Sequence, residues 1–185
     1  KFSQKWNLEP PARNSLESEA KTSESSGDGT DDDSSDEKIK KLFEKANSII
    51  IEQKFEEGIS LYREILNKQP NHIESMHNLH AVLYQTGKIE DGLKGLQKII
   101  EIDPGYAEVY YTLGYISESN DDYSNALKLY RECIERDIDH EKAYLGYERS
   151  ARETGLDLKE DKTDFVFYTG GIKFDGDTIK KQGLG

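Results

Sequence analysis

Few residues of this sequence could do chemistry. His77 and His80 lie three apart and would share one face of a helix, with His72 close by. A metal centre needs three or four converging ligands with supporting outer groups, and no fourth candidate follows, so these histidines read as packing or surface residues. Cys133 is the single cysteine. It can form no internal disulfide, which fits a reducing compartment and equally a cysteine-poor periplasmic protein, and it reads as a small buried hydrophobe rather than a reactive thiol. Carboxylates crowd between Asp28 and Glu37, but the alternating ligand spacing of a calcium loop with its closing Glu is missing. The helical region has no nucleophile-base-orienter set, no phosphate-cradling glycine loop and no CxxC pair. The expectation is a chain with no catalysis, no cofactor and no metal of its own.

The bulk numbers narrow the partners. The 185 residues carry a net charge of -12 with 34% hydrophobic and 34% charged side chains, enough for one modest core plus solvated chain. Such a field repels nucleic acid and anionic membrane, so a basic or neutral protein partner is expected. No run of about 18 apolar residues is long enough to span a bilayer, and Lys1 to Pro11 lack a signal-peptide core, so a cytoplasmic location is expected. The sequence opens at Lys1, without an initiator methionine, and reads as processed or as a piece of something longer.

Three organisational zones follow. Residues 1–38 lose nearly all apolar side chains from Pro10 onward and read as a disordered acidic linker. Residues 39–155 are amphipathic and repeat at a fixed interval, as 39–72, 73–106 and 107–140, with a seventh helix over 141–155. Residues 156–185 form a tail with a short strand-like run. Within the repeats Pro70 and Pro104 share a register that Ile138 takes in the third unit. Gly58, Gly92 and Ala126 are the small residues of a second helix; Tyr62, Leu96 and Tyr130 are its large ones. Leu42, Ala46 and Ile49 make one stripe, and Phe55, Ile59, Tyr62 and Leu66 make the stripe that faces it. The turns fall at Gln53-Lys54, Gly87-Lys88 and Asp121-Asp122. One pair cannot bury both its stripes, so neighbours must stack.

This pattern resembles the tetratricopeptide repeat family, most closely in Ala107-Glu108-Val109-Tyr110-Tyr111-Thr112-Leu113-Gly114 followed by Asp122-Tyr123-Ser124-Asn125-Ala126-Leu127. The resemblance implies an all-α fold, a right-handed α-solenoid of three helix pairs plus a capping helix. It also implies a protein-interaction scaffold whose first helices line a concave groove for a peptide. The registers that line such a groove hold Phe43, Asn47 and Ile50, then His77, Ala81 and Tyr84, then Tyr111, Tyr115 and Glu118, with Arg149 added by the last helix. An aromatic trough with acidic edges suits an extended or helical segment. The bland alternatives are that the tyrosines pack between repeats and that the stack is a spacer. Some family members grip a terminal carboxylate with cations and two asparagines. Asn47 and Asn78 match, but Phe43, Glu108 and Thr112 stand where the cations belong, so that clamp is not expected here.

The ends carry a second resemblance. Phe165-Val166-Phe167-Tyr168-Thr169-Gly170-Gly171 and the final Gly183-Leu184-Gly185 look like the opening strand and glycine-rich turn of a two-Rossmann-domain glycosyltransferase. Phe2-Ser3-Gln4-Lys5-Trp6 is similar to the closing motif of single-domain glycosyltransferases. They imply an internal fragment of a multidomain nucleotide-sugar glycosyltransferase, inactive as this piece, with the repeats between flanking catalytic domains.

Overall fold

The computed structural model describes residues 32–156, 167–169 and 172–174. Helices α1 (Asp32–Ile51), α2 (Phe55–Lys68), α3 (Ile73–Gln85), α4 (Ile89–Ile102), α5 (Ala107–Ser119), α6 (Tyr123–Arg136) and α7 (Glu141–Thr154) follow one another. Strands β1 (Phe167–Thr169) and β2 (Ile172–Phe174) pair antiparallel, Phe167 opposite Phe174. The all-α class holds for the described repeats. They divide into two compact units, one ending at Gly92 and one beginning at Leu93, within α4.

The first helices stop in one way. Gln53, Gly87, Asp121 and Gly155 all adopt positive φ, between 62° and 90°. Beside each, a backbone N–H reaches back to a carbonyl five residues earlier: Lys54 to Ile49, Lys88 to Leu83, Asp122 to Ser117 and Leu156 to Ala151. This left-handed closure satisfies carbonyls that a helix end otherwise leaves unpaired. These closing residues are spaced one repeat apart, so α7 ends in phase with α1, α3 and α5 and is the first helix of a fourth repeat.

In the first unit α1 and α2 approach closely at Gly58, which is buried; a Cβ there would collide with the Ile50 side chain. Ile59, Tyr62 and Ile65 from α2 fill the space against Ala46 and Ile50 of α1, with Leu79 and Val82 of α3 completing the core. Gly92 makes the same approach against the backbone of α3 at Tyr84 and His80.

The acidic linker expected to run to Lys38 ends earlier, because α1 begins at Asp32. Near the start of that helix Asp36 and Glu37 lie toward the positive end of its dipole, which favours helix despite the missing apolar side chains. Glu37 also pairs with Lys41 at 3.3 Å, and Asp36 accepts from Gln69 Nε2 at 2.8 Å. The remainder of that segment, and the end motifs compared with glycosyltransferases apart from β1 and β2, lie outside the described residues.

In the second unit the Tyr130 ring of α6 sits between two glycines. A Cβ on Gly114 of α5 would come within 2.9 Å of it, and one on Gly146 of α7 would penetrate it. Cys133 is fully buried, and burial pushes its thiol pKa well up, as suits an apolar packing role. On α7 the registers of Gly114 and Glu118 hold Glu148 and Arg152, which pair with each other on the surface. Two charges where earlier first helices pack a partner make α7 a polar end.

Candidate functional site

Repetition of the helix pair places chemically similar side chains in each unit. In the first, the Phe43 ring packs 6.1 Å from that of Tyr62 and 5.3 Å from that of His72. In the second, two repeats on, Tyr111 packs 6.0 Å from Tyr130 and 4.8 Å from His140. His72 and His140 are also the residues that start the next first helix. Nδ1 of His72 accepts from the Ser75 N–H at 3.2 Å, and Nδ1 of His140 from the Ala143 N–H at 3.1 Å. Because Nδ1 of His140 accepts, its proton resides on Nε2, which donates to Glu108 Oε2 at 2.9 Å. Each ring covers an aromatic of its own repeat and caps the first helix of the next.

The sequence-derived groove residues therefore fall into two sets. Ile50, His77 and Ala81 are buried, at 3%, 4% and 3% exposure. Ile50 fills the space over Gly58 and belongs to the core. Their burial keeps these three from forming an exposed surface. Phe43, Asn47, Tyr84, Tyr111 and Tyr115 are half-buried, Glu118 nearly covered and Arg149 open to solvent. Asn47 Oδ1 accepts from the Tyr62 hydroxyl at 2.6 Å and from Asn78 Nδ2 at 3.0 Å. The two asparagines of the clamp register are thus bonded to each other.

Within the second unit Tyr111, Tyr115, Glu118 and Arg149 come together. Glu118 receives hydrogen bonds from the Tyr130 hydroxyl at 2.5 Å and from Arg149 Nε and Nη2 at 2.7 and 3.0 Å. Burial pushes the Tyr111 hydroxyl pKa up to about 12, with the charge of Glu108 adding to it. The hydrogen bond to Glu118 raises that of Arg149. The face is therefore neutral phenol beside an internally balanced ion pair, suited to hydrogen bonding and aromatic packing. Residues at the clamp's cation registers offer no positive charge: Phe43 is stacked, Glu108 is bonded to His140 and Thr112 is buried. Leu145 was missed by sequence reading; it holds the register of Phe43 and Tyr111 on α7 and is 49% exposed. Among the described residues no three His, Cys, Asp or Glu side chains are placed to hold a metal ion, and no helix is long and apolar enough to cross a membrane.

Stacked helix pairs of this length with closing turns in one register are those of tetratricopeptide repeat proteins, and residues 107–140 match the family model of the tetratricopeptide repeat. The chain is 28% identical over 120 residues to Hsp70-Hsp90 organizing protein 3 of Arabidopsis thaliana, covering 65% of this chain and 22% of that protein. It is 29% identical over 123 residues to Hsp70-Hsp90 organizing protein 1 of Glycine max, covering 66% and 21%. The chain thus spans about a fifth of the length of these curated relatives. Among solved structures, the Sgt2 TPR domain from Aspergillus fumigatus superposes with a TM-score of 0.56 at 21% identity, over 72% of this chain and 91% of that one. The first TPR of Spaghetti (RPAP3), bound to the HSP90 peptide SRMEEVD, gives 0.55 at 17% identity, over 64% and 94%. These likenesses establish the fold.

Proposed function

We propose that this chain is a protein-interaction scaffold that holds a peptide or partner segment along the faces of its first helices, with no catalysis of its own. The observation that carries the reading is the cluster of Tyr111, Tyr115, Glu118 and Arg149, three of them kept within reach of water. The first unit contributes Phe43, Asn47 and Tyr84 on its own surface. The relatives named as chaperone organizers, and the related domain solved with an HSP90 peptide, support a peptide as the ligand class. An acidic peptide with a free C-terminal carboxylate is disfavoured here, because Phe43, Glu108 and Thr112 supply no cation to hold it. A basic or neutral segment, met in the cytoplasm, fits better.

The test is calorimetric titration of the full chain with a partner segment found by cross-linking, and with SRMEEVD. Tyr115→Ala and Tyr84→Ala should each weaken the partner segment about tenfold at unchanged melting temperature, as truncation of an aromatic anchor does. Unaltered affinity in both variants would refute the scaffold face and leave a spacer. A second reading, a fragment of a glycosyltransferase with catalytic domains on either side, rests on the end motifs of the sequence alone, and the antiparallel pairing of β1 with β2 fits a hairpin better than the parallel opening strand of such a domain. In the gene beyond Gly185, a further glycine, a Ser-Glu pair and a helix pattern support that reading; a stop codon ends it.

A further inference from the structure

We propose that the outward edge of the Arg149 guanidinium is a seat for a main-chain carbonyl of an uncharged, extended partner segment, whose aliphatic side chain packs on Leu145. The proposal rests on the scaffold reading above and names what the α7 end of that face recognises. Glu118 takes Arg149 from one side only, accepting from Nε at 2.7 Å and from Nη2 at 3.0 Å. That bidentate grip occupies the Nε–Nη2 edge of a planar group and fixes its plane. The opposite edge, Nη1 with the second N–H of Nη2, has no hydrogen-bond partner among the described residues. It stands open to water: the Arg149 side chain is 51% exposed and Leu145, one turn earlier on α7, is 49% exposed, with β1 already packed against that helix.

A fork of N–H donors calls for an oxygen acceptor, and the neighbouring charges decide which. The Tyr111 hydroxyl lies in the field of Glu108, Arg149 and Glu118. Two carboxylates therefore stand there against one guanidinium, and Glu118 already matches that guanidinium. A further carboxylate would meet like charge, whereas an amide carbonyl is neutral and offers both its lone pairs to the fork. From Leu145 to Arg149 the helix advances about 6 Å, the span of about two residues of extended chain. A carbonyl held on Arg149 thus brings an aliphatic side chain of the same segment over Leu145.

The experiment follows the arginine side-chain N–H signals of the full chain by nuclear magnetic resonance. The probes are acetyl-Leu-Ala-Leu-N-methylamide and the same tripeptide ending in a free carboxylate. The N-methylamide should shift the Arg149 Nε and Nη signals and bind more tightly than the carboxylate form, by about threefold. Arg149→Lys keeps the charge and loses the planar fork, so it should weaken the N-methylamide about tenfold with helicity retained. Leu145→Ala, which leaves the ion pair alone, should weaken it about threefold. Equal or tighter binding of the carboxylate form, no binding of either peptide, or an unaffected Arg149→Lys would overturn the proposal. Weakening by Tyr115→Ala but not by Arg149→Lys would sink the carbonyl seat and leave the scaffold reading standing; weakening by neither would remove both.

Discussion

The Tyr130 hydroxyl donates a 2.5 Å hydrogen bond to Oε2 of Glu118, on the carboxylate that Arg149 grips through two nitrogens. One carboxylate on α5 is thereby tied to α6 and α7. Glu118→Gln should cost about 1–3 kcal/mol in urea unfolding, since the buried Tyr130 hydroxyl and Arg149 lose their charged acceptor. Arg149→Met should cost less, about 0–1 kcal/mol, because water competes for its half-exposed guanidinium. Equal losses in the two variants would show that the ion pair, not the phenol bond, dominates.

The seating of Tyr130 between glycines makes a steric prediction. Gly146→Ala puts a methyl group into the ring and should destabilise the second unit by about 1–3 kcal/mol, the range for overpacking. Tyr130→Phe at the same site should lose only the hydroxyl bond. If Gly146→Ala unfolds at the wild-type denaturant midpoint, α7 does not pack on Tyr130 as described.

At the helix ends the expectation depends on the residue. Gly87 has φ of 90° and no atom within 4 Å of its missing Cβ, so Gly87→Ala strains the backbone alone and should cost roughly 1 kcal/mol. Gln53 already carries that strain at φ 63°, so Gln53→Gly should be neutral or stabilising by up to about 1 kcal/mol. Thermal melts of both variants check the pair; destabilisation by Gln53→Gly would contradict the left-handed closure.

Alkaline pH should unfold the chain through its covered tyrosines. Burial raises the Tyr62 hydroxyl pKa to about 12, and that of Tyr130 is raised too, by burial and by its bond to Glu118. An unfolded tyrosine ionises near 10, so between pH 10 and 12 the folded chain holds more protons. The stabilisation is complete below pH 10 and drains as pH climbs through 12, by at most about 1.4 kcal/mol per pH unit for each group. Tyrosinate absorbance should show some of the eleven tyrosines ionising only as helical circular dichroism disappears. Ionisation of all of them near pH 10 with helices intact would contradict their burial.

The helix pairs were legible in the sequence because size class is a one-dimensional signal. Gly58, Gly92 and Ala126 must be small, and Tyr62, Leu96 and Tyr130 large, wherever two backbones approach. The surface was harder to read. A register fixes which side of a helix a residue occupies but not what lies over it, so Ile50, His77 and Ala81 look like groove residues until their burial is seen. His72 and His140 offered no motif either; their role arises from stacking on a ring 29 residues earlier while capping the next helix. The early start of α1 escaped because composition near Asp32 speaks for solvation, whereas carboxylates at that helix end are locally favourable.

The shared phase of Gln53, Gly87, Asp121 and Gly155 constrains how this molecule can vary. Adding one residue inside any first helix would swing every later side chain on it by about 100° and lift it by roughly 1.5 Å, aiming its stripe away from its mate. Tolerated length changes must therefore come as whole repeats or be confined to the chain outside them, a mutational grammar that deep insertion scanning would read directly.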